Sequence, residues 1–128
     1  MCAIIGSISL SEPLNDDWLR SGCNNMAHRG PDSFGYWRSK CKKVFFGHRR
    51  LSIIDLSEDG HQPMKDFSKQ FVITFNGEIY NHKTLKKILK NKGYKFNSKT
   101  DTEVVLNSYI HWGVNCVKKL NGMFAFAI

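Results

Sequence analysis

The apolar positions of the chain fall into short runs whose period changes along its length. CAIIGSIS (2–9) is apolar and interrupted only by small residues, which predicts a buried strand with Gly6 at a point of close backbone approach. NDDWLRSGCNNMA (15–27) shifts to helical spacing. Trp18, Leu19, Cys23 and Met26 share one face, Asn15 stands as the N-cap, and Asp16 and Asp17 suit the first turn. HRGPDSFG (28–35), with Gly and Pro adjacent, predicts a loop. YWRS and KVFFGHRRLSII predict two strands about a turn at residues 39–42. LSEDGHQPM (56–64) reads as a turn-rich loop and QFVITFN (70–76) as a further strand.

Two helices follow. The first is predicted over residues 82–91, with Leu85, Ile88 and Leu89 as its apolar stripe and Gly93 as its stop. The second begins at Asp101, placed as N-cap with Glu103 in the first turn, carries Val105, Leu106, Tyr109 and Trp112, and stops at Gly113. GMFAFAI (122–128) is an apolar strand with no turn or partner after it, so a domain truncated at its C-terminus is expected. Strands and helices mix without a regular βαβ alternation, which predicts an α+β fold with mainly antiparallel sheets.

Composition changes this picture little. At 128 residues, 41% hydrophobic and 23% charged, the chain is one domain's length with an ordinary globular balance. No apolar run approaches a membrane span and no secretory signal opens the chain, so no membrane partner is expected. Cys2, Cys23, Cys41 and Cys116 have neither CxxC nor zinc-like spacing; no metal site is expected, and a reduced, cytoplasmic compartment fits. The net charge of +8 raises a nucleic-acid hypothesis. Its lysines, however, gather at 39–44 and on the polar faces of the 82–91 helix and its end. That is a solvated pattern without base-stacking aromatics, and no nucleic-acid partner is expected.

Chemistry starts at the second residue. If Met1 is removed, Cys2 carries a thiol and a free α-amine, a nucleophile with its own base. Their ordinary pKa values, about 8.5 and about 7.7–8.0, make proton transfer between them nearly balanced. Other polar residues have plain readings one by one: Arg50 as a surface strand residue, Asn76–Gly77 as a hairpin turn, Asp101 as a helix cap. Together they make a set. Asn76 offers a side-chain amide and Gly77 a backbone N–H to an oxyanion; Arg50 can hold a carboxylate bidentately, and Asp101 can pair with an ammonium group. Carboxylate, ammonium and carboxamide on one molecule describe glutamine or asparagine.

The stretches MCAIIG (1–6), HRGPD (28–32) with Gly35, His48 with RLSIID (50–55), Gln62-Pro63, NGEIYN (76–81), DTE (101–103) and NGMFAF (121–126) occur in this order over essentially the whole chain. In them the sequence resembles the N-terminal glutaminase domain of class II glutamine amidotransferases, and within these the glutamine-hydrolysing asparagine synthetase branch. The resemblance implies an N-terminal-nucleophile hydrolase fold, a four-layer sandwich of two antiparallel sheets between helices, over residues 1–128. It implies Cys2 as nucleophile, Asn76 and Gly77 as oxyanion hole, Arg50 and Asp101 as holders of the substrate's α-carboxylate and α-amine, Glu78 beside the substrate, and Leu51 and Ile53 in the pocket wall.

The implied reaction converts glutamine to glutamate and ammonia through a Cys2 thioester without a cofactor. ATP and magnesium belong only to a synthetase domain, the implied partner, which residues 1–128 do not contain; a homodimer is compatible with the same family. Aspartate is the default ammonia acceptor. A different acceptor, such as a sugar carboxylate, stays open, as does a non-catalytic docking or regulatory domain of the same fold. Family members carry further strands after FAFAI, and an attached Met1 would tie up the Cys2 amine.

Overall fold

The computed structural model describes residues 2–52 and 57–128. Met1 and the stretch 53–56, and with it the predicted wall residue Ile53, lie outside the described residues. The elements run β1 (Ala3–Ile8), α1 (Asp17–Asn25), β2 (Ser33–Arg38), β3 (Val44–Arg50), β4 (Met64–Lys65), β5 (Val72–Ile79), α2 (His82–Asn91), α3 (Asp101–Trp112) and β6 (Gly122–Ala127). Short 3-10 turns at Ala27–Arg29, Glu58–Gly60 and Gly113–Lys119 complete the elements of the described residues.

The strands form two three-stranded antiparallel sheets, ordered β1-β3-β2 and β4-β5-β6. α1 packs on β1 and β3, the two sheets face each other through β1, β3 and β5, and α3, with α2 against it, covers β5. This is the expected four-layer α+β sandwich. Ile73, Phe75 and Ile79 point from β5 into a core with Leu85, Leu89, Val104, Val105 and Leu106. Leu19 and Cys23 of α1 are fully buried under the other sheet, as is Phe45 of β3. No described helix is long and apolar enough to cross a membrane.

Local chemistry explains both agreement and difference with the sequence. α2 has the predicted bounds; Leu85 and Leu89 are buried, whereas Ile88 at the edge of the stripe is exposed. In α1, Trp18 is also exposed, because the face seated on the sheet is only as wide as Leu19 and Cys23. Asn15 is not its N-cap: Asp16 holds that position, while the Asn15 side chain accepts from the Asp17 N–H. Nor does Asp101 cap α3. Thr100 does, its Oγ1 accepting from the Glu103 N–H at 3.4 Å, while the Glu103 carboxylate reaches back to the N–H groups of Asn97 and Ser98. Asp101 becomes the first helical residue, and its carboxylate is released for another partner.

Asn76–Gly77 is not a hairpin turn. β5 runs straight through it, paired with β6 one-to-one from Thr74↔Ala127 to Ile79↔Gly122. Glycine is required there because a Cβ on Gly77 would lie 2.3 Å from the Met123 carbonyl oxygen and 2.6 Å from Phe124 Cα. The chain instead turns after Ile79, where Tyr80 N–H donates to Asn121 O and the Asn81 side chain bridges to Lys119 O and Asn121 N–H.

Candidate active site

A cavity of about 130 Å³ opens where the C-terminal end of β3, the start of β1, the middle of β5 and the N-terminus of α3 meet. Of the predicted site residues, Cys2, Arg50, Leu51, Gly77, Glu78 and Asp101 line it, together with Gly60 and Gln62. Asn76 stands beside Gly77 without contributing to the lining; its side-chain Oδ1 is buried without a hydrogen-bond partner.

Cys2 is held from the end of β3. The Leu51 N–H donates to its Sγ at 3.3 Å, and the Sγ–H donates to the Leu51 carbonyl at 3.6 Å. That end of β3 is pinned by the 28–32 loop: Asp32 N–H donates to Arg50 O, and the Asp32 carboxylate accepts from Ser52 N–H at 2.7 Å. Gly30 permits the approach, since a Cβ there would sit 2.4 Å from the Arg49 carbonyl carbon. The HRGPD stretch thus buttresses, from outside the cavity, the end of β3 that holds Cys2.

Arg50 is buried, and its Nη1 donates to Ser57 O at 2.9 Å. The 3-10 turn Glu58–Gly60 passes so close beneath its guanidinium that a Cβ on Gly60 would lie 2.1 Å from Nη2. On the opposite wall, the Asp101 carboxylate accepts from the Ile79 N–H at 2.9 Å. Burial raises the pKa of Asp101 above the ordinary carboxylate value, and the Ile79 N–H and nearby His82 oppose that shift. An ammonium group arriving in the cavity would oppose the effect of burial and favour the charged form.

The backbone of β5 completes the wall. In an antiparallel strand the N–H and C=O of alternate residues point to one side, and in β5 the odd-numbered residues present theirs to the edge away from β6. Ile73 meets β4 on that edge. Phe75 N–H donates to Gln62 Oε1 at 2.7 Å, and Ile79 N–H goes to Asp101. Between them, alternation aims the Gly77 N–H at the cavity that Gly77 lines. A fixed backbone donor therefore stands across the same small space as a thiol, an arginine and a carboxylate.

His48, fully buried on β3, ties the sheets together: its Nε2–H donates to Phe75 O at 3.1 Å, since a carbonyl can only accept. Burial is the main cause that pushes its pKa down to about 4 from 6.5, and the Phe75 bond opposes this. Between these values the unfolded chain takes up a proton that the folded chain refuses. The resulting stability is complete above pH 6.5, is lost as pH falls toward 4, and amounts to about 3 kcal/mol. Urea midpoints between pH 4 and 7 are expected to fall more steeply for the wild type than for His48→Gln, which keeps a donor but does not titrate; parallel curves would contradict this.

His48 and Gln62 belong to stretches the sequence had marked, HRRLSIID and GHQPM, yet nothing in local pattern assigned them a task. Gly60 carried no signal, because its importance lies in a contact with a residue ten positions away.

The family model described as the glutamine amidotransferase domain matches residues 1–128, the whole chain. The chain belongs to the glutamine amidotransferase family. It is 45% identical over 132 aligned positions to a Bacillus subtilis protein named asparagine synthetase [glutamine-hydrolyzing] 1, covering all of this chain and 20% of that protein. An Arabidopsis thaliana protein of the same name is 36% identical, with 100% and 21% covered. The chain thus spans about a fifth of the length of these curated relatives. Among solved structures, the glutamine phosphoribosylpyrophosphate amidotransferase from B. subtilis superposes with a TM-score of 0.80 at 19% identity, over 96% of this chain and 34% of that one. At that identity the match speaks for the fold, and it agrees with the expected N-terminal-nucleophile hydrolase architecture of this amidotransferase domain.

Proposed function

We propose that this domain hydrolyses the side-chain amide of glutamine, with Cys2 as nucleophile, and delivers the ammonia to a synthetase domain. The observation that carries this reading is the convergence on one cavity of Cys2, Arg50, the Gly77 N–H and Asp101. Arg50 and Asp101 hold the α-carboxylate and α-ammonium of glutamine, which extends the γ-carboxamide toward Cys2 and Gly77. Leu51 and Glu78 flank the substrate, and Ile53 is assigned to the same wall by resemblance.

With Met1 removed, the α-amine of Cys2 takes the thiol proton as sulfur attacks the amide carbon. The developing oxyanion is held by the Gly77 N–H, and the side-chain amide of Asn76, which stands beside Gly77 outside the cavity lining, is assigned to the same task by resemblance. Collapse returns the proton to the leaving nitrogen, which departs as ammonia, and water then cleaves the γ-glutamyl thioester to glutamate. No cofactor takes part in these steps; ATP and magnesium enter in the synthetase domain. Aspartate is the proposed acceptor, giving asparagine, and the names of the full-length relatives support it. A cytoplasmic setting belongs to the same reading, supported by four cysteines that are free thiols.

The test is intact mass together with glutamate release from glutamine. Loss of one methionine mass accompanied by glutamate is the expected result. A processed protein that carries a free N-terminal cysteine, binds glutamine and forms no glutamate, alone or joined to a synthetase domain, would overturn the reading.

A further inference from the structure

We infer that Gln62 is a positioning residue for the oxyanion donor, acting with His48 as a surrogate strand that holds β5 beside the cavity. The inference deepens the proposed glutaminase reading and rests on it. β4 supplies only Met64 and Lys65, paired with Ile73 and Val72, so the edge of β5 beyond Ile73 has no strand partner among the described residues. Side chains take over at Phe75. Its N–H donates to Gln62 Oε1 at 2.7 Å and its C=O accepts from His48 Nε2 at 3.1 Å, so both its backbone groups on that edge are satisfied two residues before Gly77. A full neighbouring strand would bond Gly77 as well and close the cavity. Two side chains hold the strand and leave the next donor open.

The clamp is anchored on both sides. Gln62 is buried, and its Nε2 donates to Thr102 Oγ1 at 3.2 Å, which ties β5 to the helix whose first residue is Asp101. Its backbone is seated directly over β2, where a Cβ on Gly35 would lie 2.0 Å from Gln62 O. His48 rises from the same sheet, opposite Gly35 in the register. Sheet, clamp and helix therefore fix where the Gly77 N–H points relative to Cys2, which stands just before β1.

The test compares wild type, Gln62→Met and Gln62→Glu. Methionine keeps the volume but loses both hydrogen bonds; glutamate keeps an oxygen for the Phe75 N–H. Gln62→Met is expected to lower kcat for glutamine by about 10–100-fold, the scale of a misplaced oxyanion donor, with KM within about threefold. Gln62→Glu is expected to recover several-fold of that loss. Alkylation of Cys2 by iodoacetamide, a displacement that builds no oxyanion, is expected to proceed at the wild-type rate in all three, followed on the Cys2 peptide because Cys41 is exposed. A merely structural defect would alter alkylation along with hydrolysis.

Amide hydrogen exchange across residues 75–79 reads the clamp without reference to activity and is expected to accelerate in Gln62→Met. Wild-type kcat and wild-type exchange in Gln62→Met would overturn the inference, as would equal changes in hydrolysis and alkylation. If the wild type forms no glutamate, the glutaminase reading falls, and the exchange data alone decide whether Gln62 holds the strand.

Discussion

Replacing Cys2 with alanine in the processed protein is expected to abolish glutamate release, by about 10⁴-fold or more, while leaving the melting temperature within about 5 °C of wild type. The two halves of this result have separate origins. Sγ makes two bonds, both to the backbone of Leu51 and both long, at 3.3 and 3.6 Å. Contacts of that kind contribute about 1 kcal/mol or less, and the Leu51 N–H that loses its partner borders a cavity open to water. The catalytic loss, by contrast, is the loss of the one cavity-lining side chain among the described residues able to form a covalent acyl intermediate by thiolate attack.

Cys2→Ser sharpens the test, because it preserves size and hydrogen bonding while its hydroxyl is far harder to ionise. It too is expected to be inactive at neutral pH. Both variants should still bind glutamine, since Arg50 and Asp101 are untouched, and calorimetry of the alanine variant would show it. Activity within tenfold of wild type in either variant would remove Cys2 from the chemistry.

How much of this was legible in the sequence depends on the range of the interactions concerned. The bounds of α2 are legible because its signals are local: an apolar repeat followed by the glycine stop at Gly93. The open edge of β5 is not, because Asn-Gly is a turn signal wherever only neighbours are considered, and it is β6, more than forty residues downstream, that keeps the backbone extended there. Asp101 reads locally as a helix cap as well as an ammonium partner, but Thr100 already satisfies the helix end, and the Asp101 carboxylate instead accepts from the distant Ile79 N–H. Cys2 and Arg50 can be named from residue type and resemblance. The tasks of the groups that aim Cys2, Arg50 and Gly77, namely Gly30, Asp32, Gly60 and Gln62, emerge only from tertiary approach, since a glycine at van der Waals contact and a glycine in open space look alike in a sequence. Gly93 shows the contrast: a Cβ there would meet nothing within 4 Å.

Gly60 yields the second large effect. Gly60→Ala is expected to raise KM for glutamine by about 10–100-fold with kcat changed far less. The added methyl would fall 2.1 Å from Arg50 Nη2, 2.8 Å from its Cζ and 3.1 Å from Thr100 Cγ2. The first two atoms are the end of a flexible side chain, so the fold can survive by moving the guanidinium; Thr100, at the base of α3, blocks the turn from moving the other way. The guanidinium is also tethered through Nη1 to Ser57 O, the residue just before the same turn, so moving it strains or breaks that bond. A charge-assisted grip on a carboxylate is worth about 1.5–3 kcal/mol, which converts to that range of KM. Because Arg50 would hold the α-carboxylate equally in the ground state and the transition state, the loss falls on binding rather than on turnover. A glutamine analogue with its α-carboxylate amidated is the control: it lacks the group Arg50 holds, so its kcat/KM should barely respond to Gly60→Ala. Equal losses for both substrates would mean that the turn supports the cavity as a whole, and an unchanged KM for glutamine would mean that Arg50 does not hold the substrate.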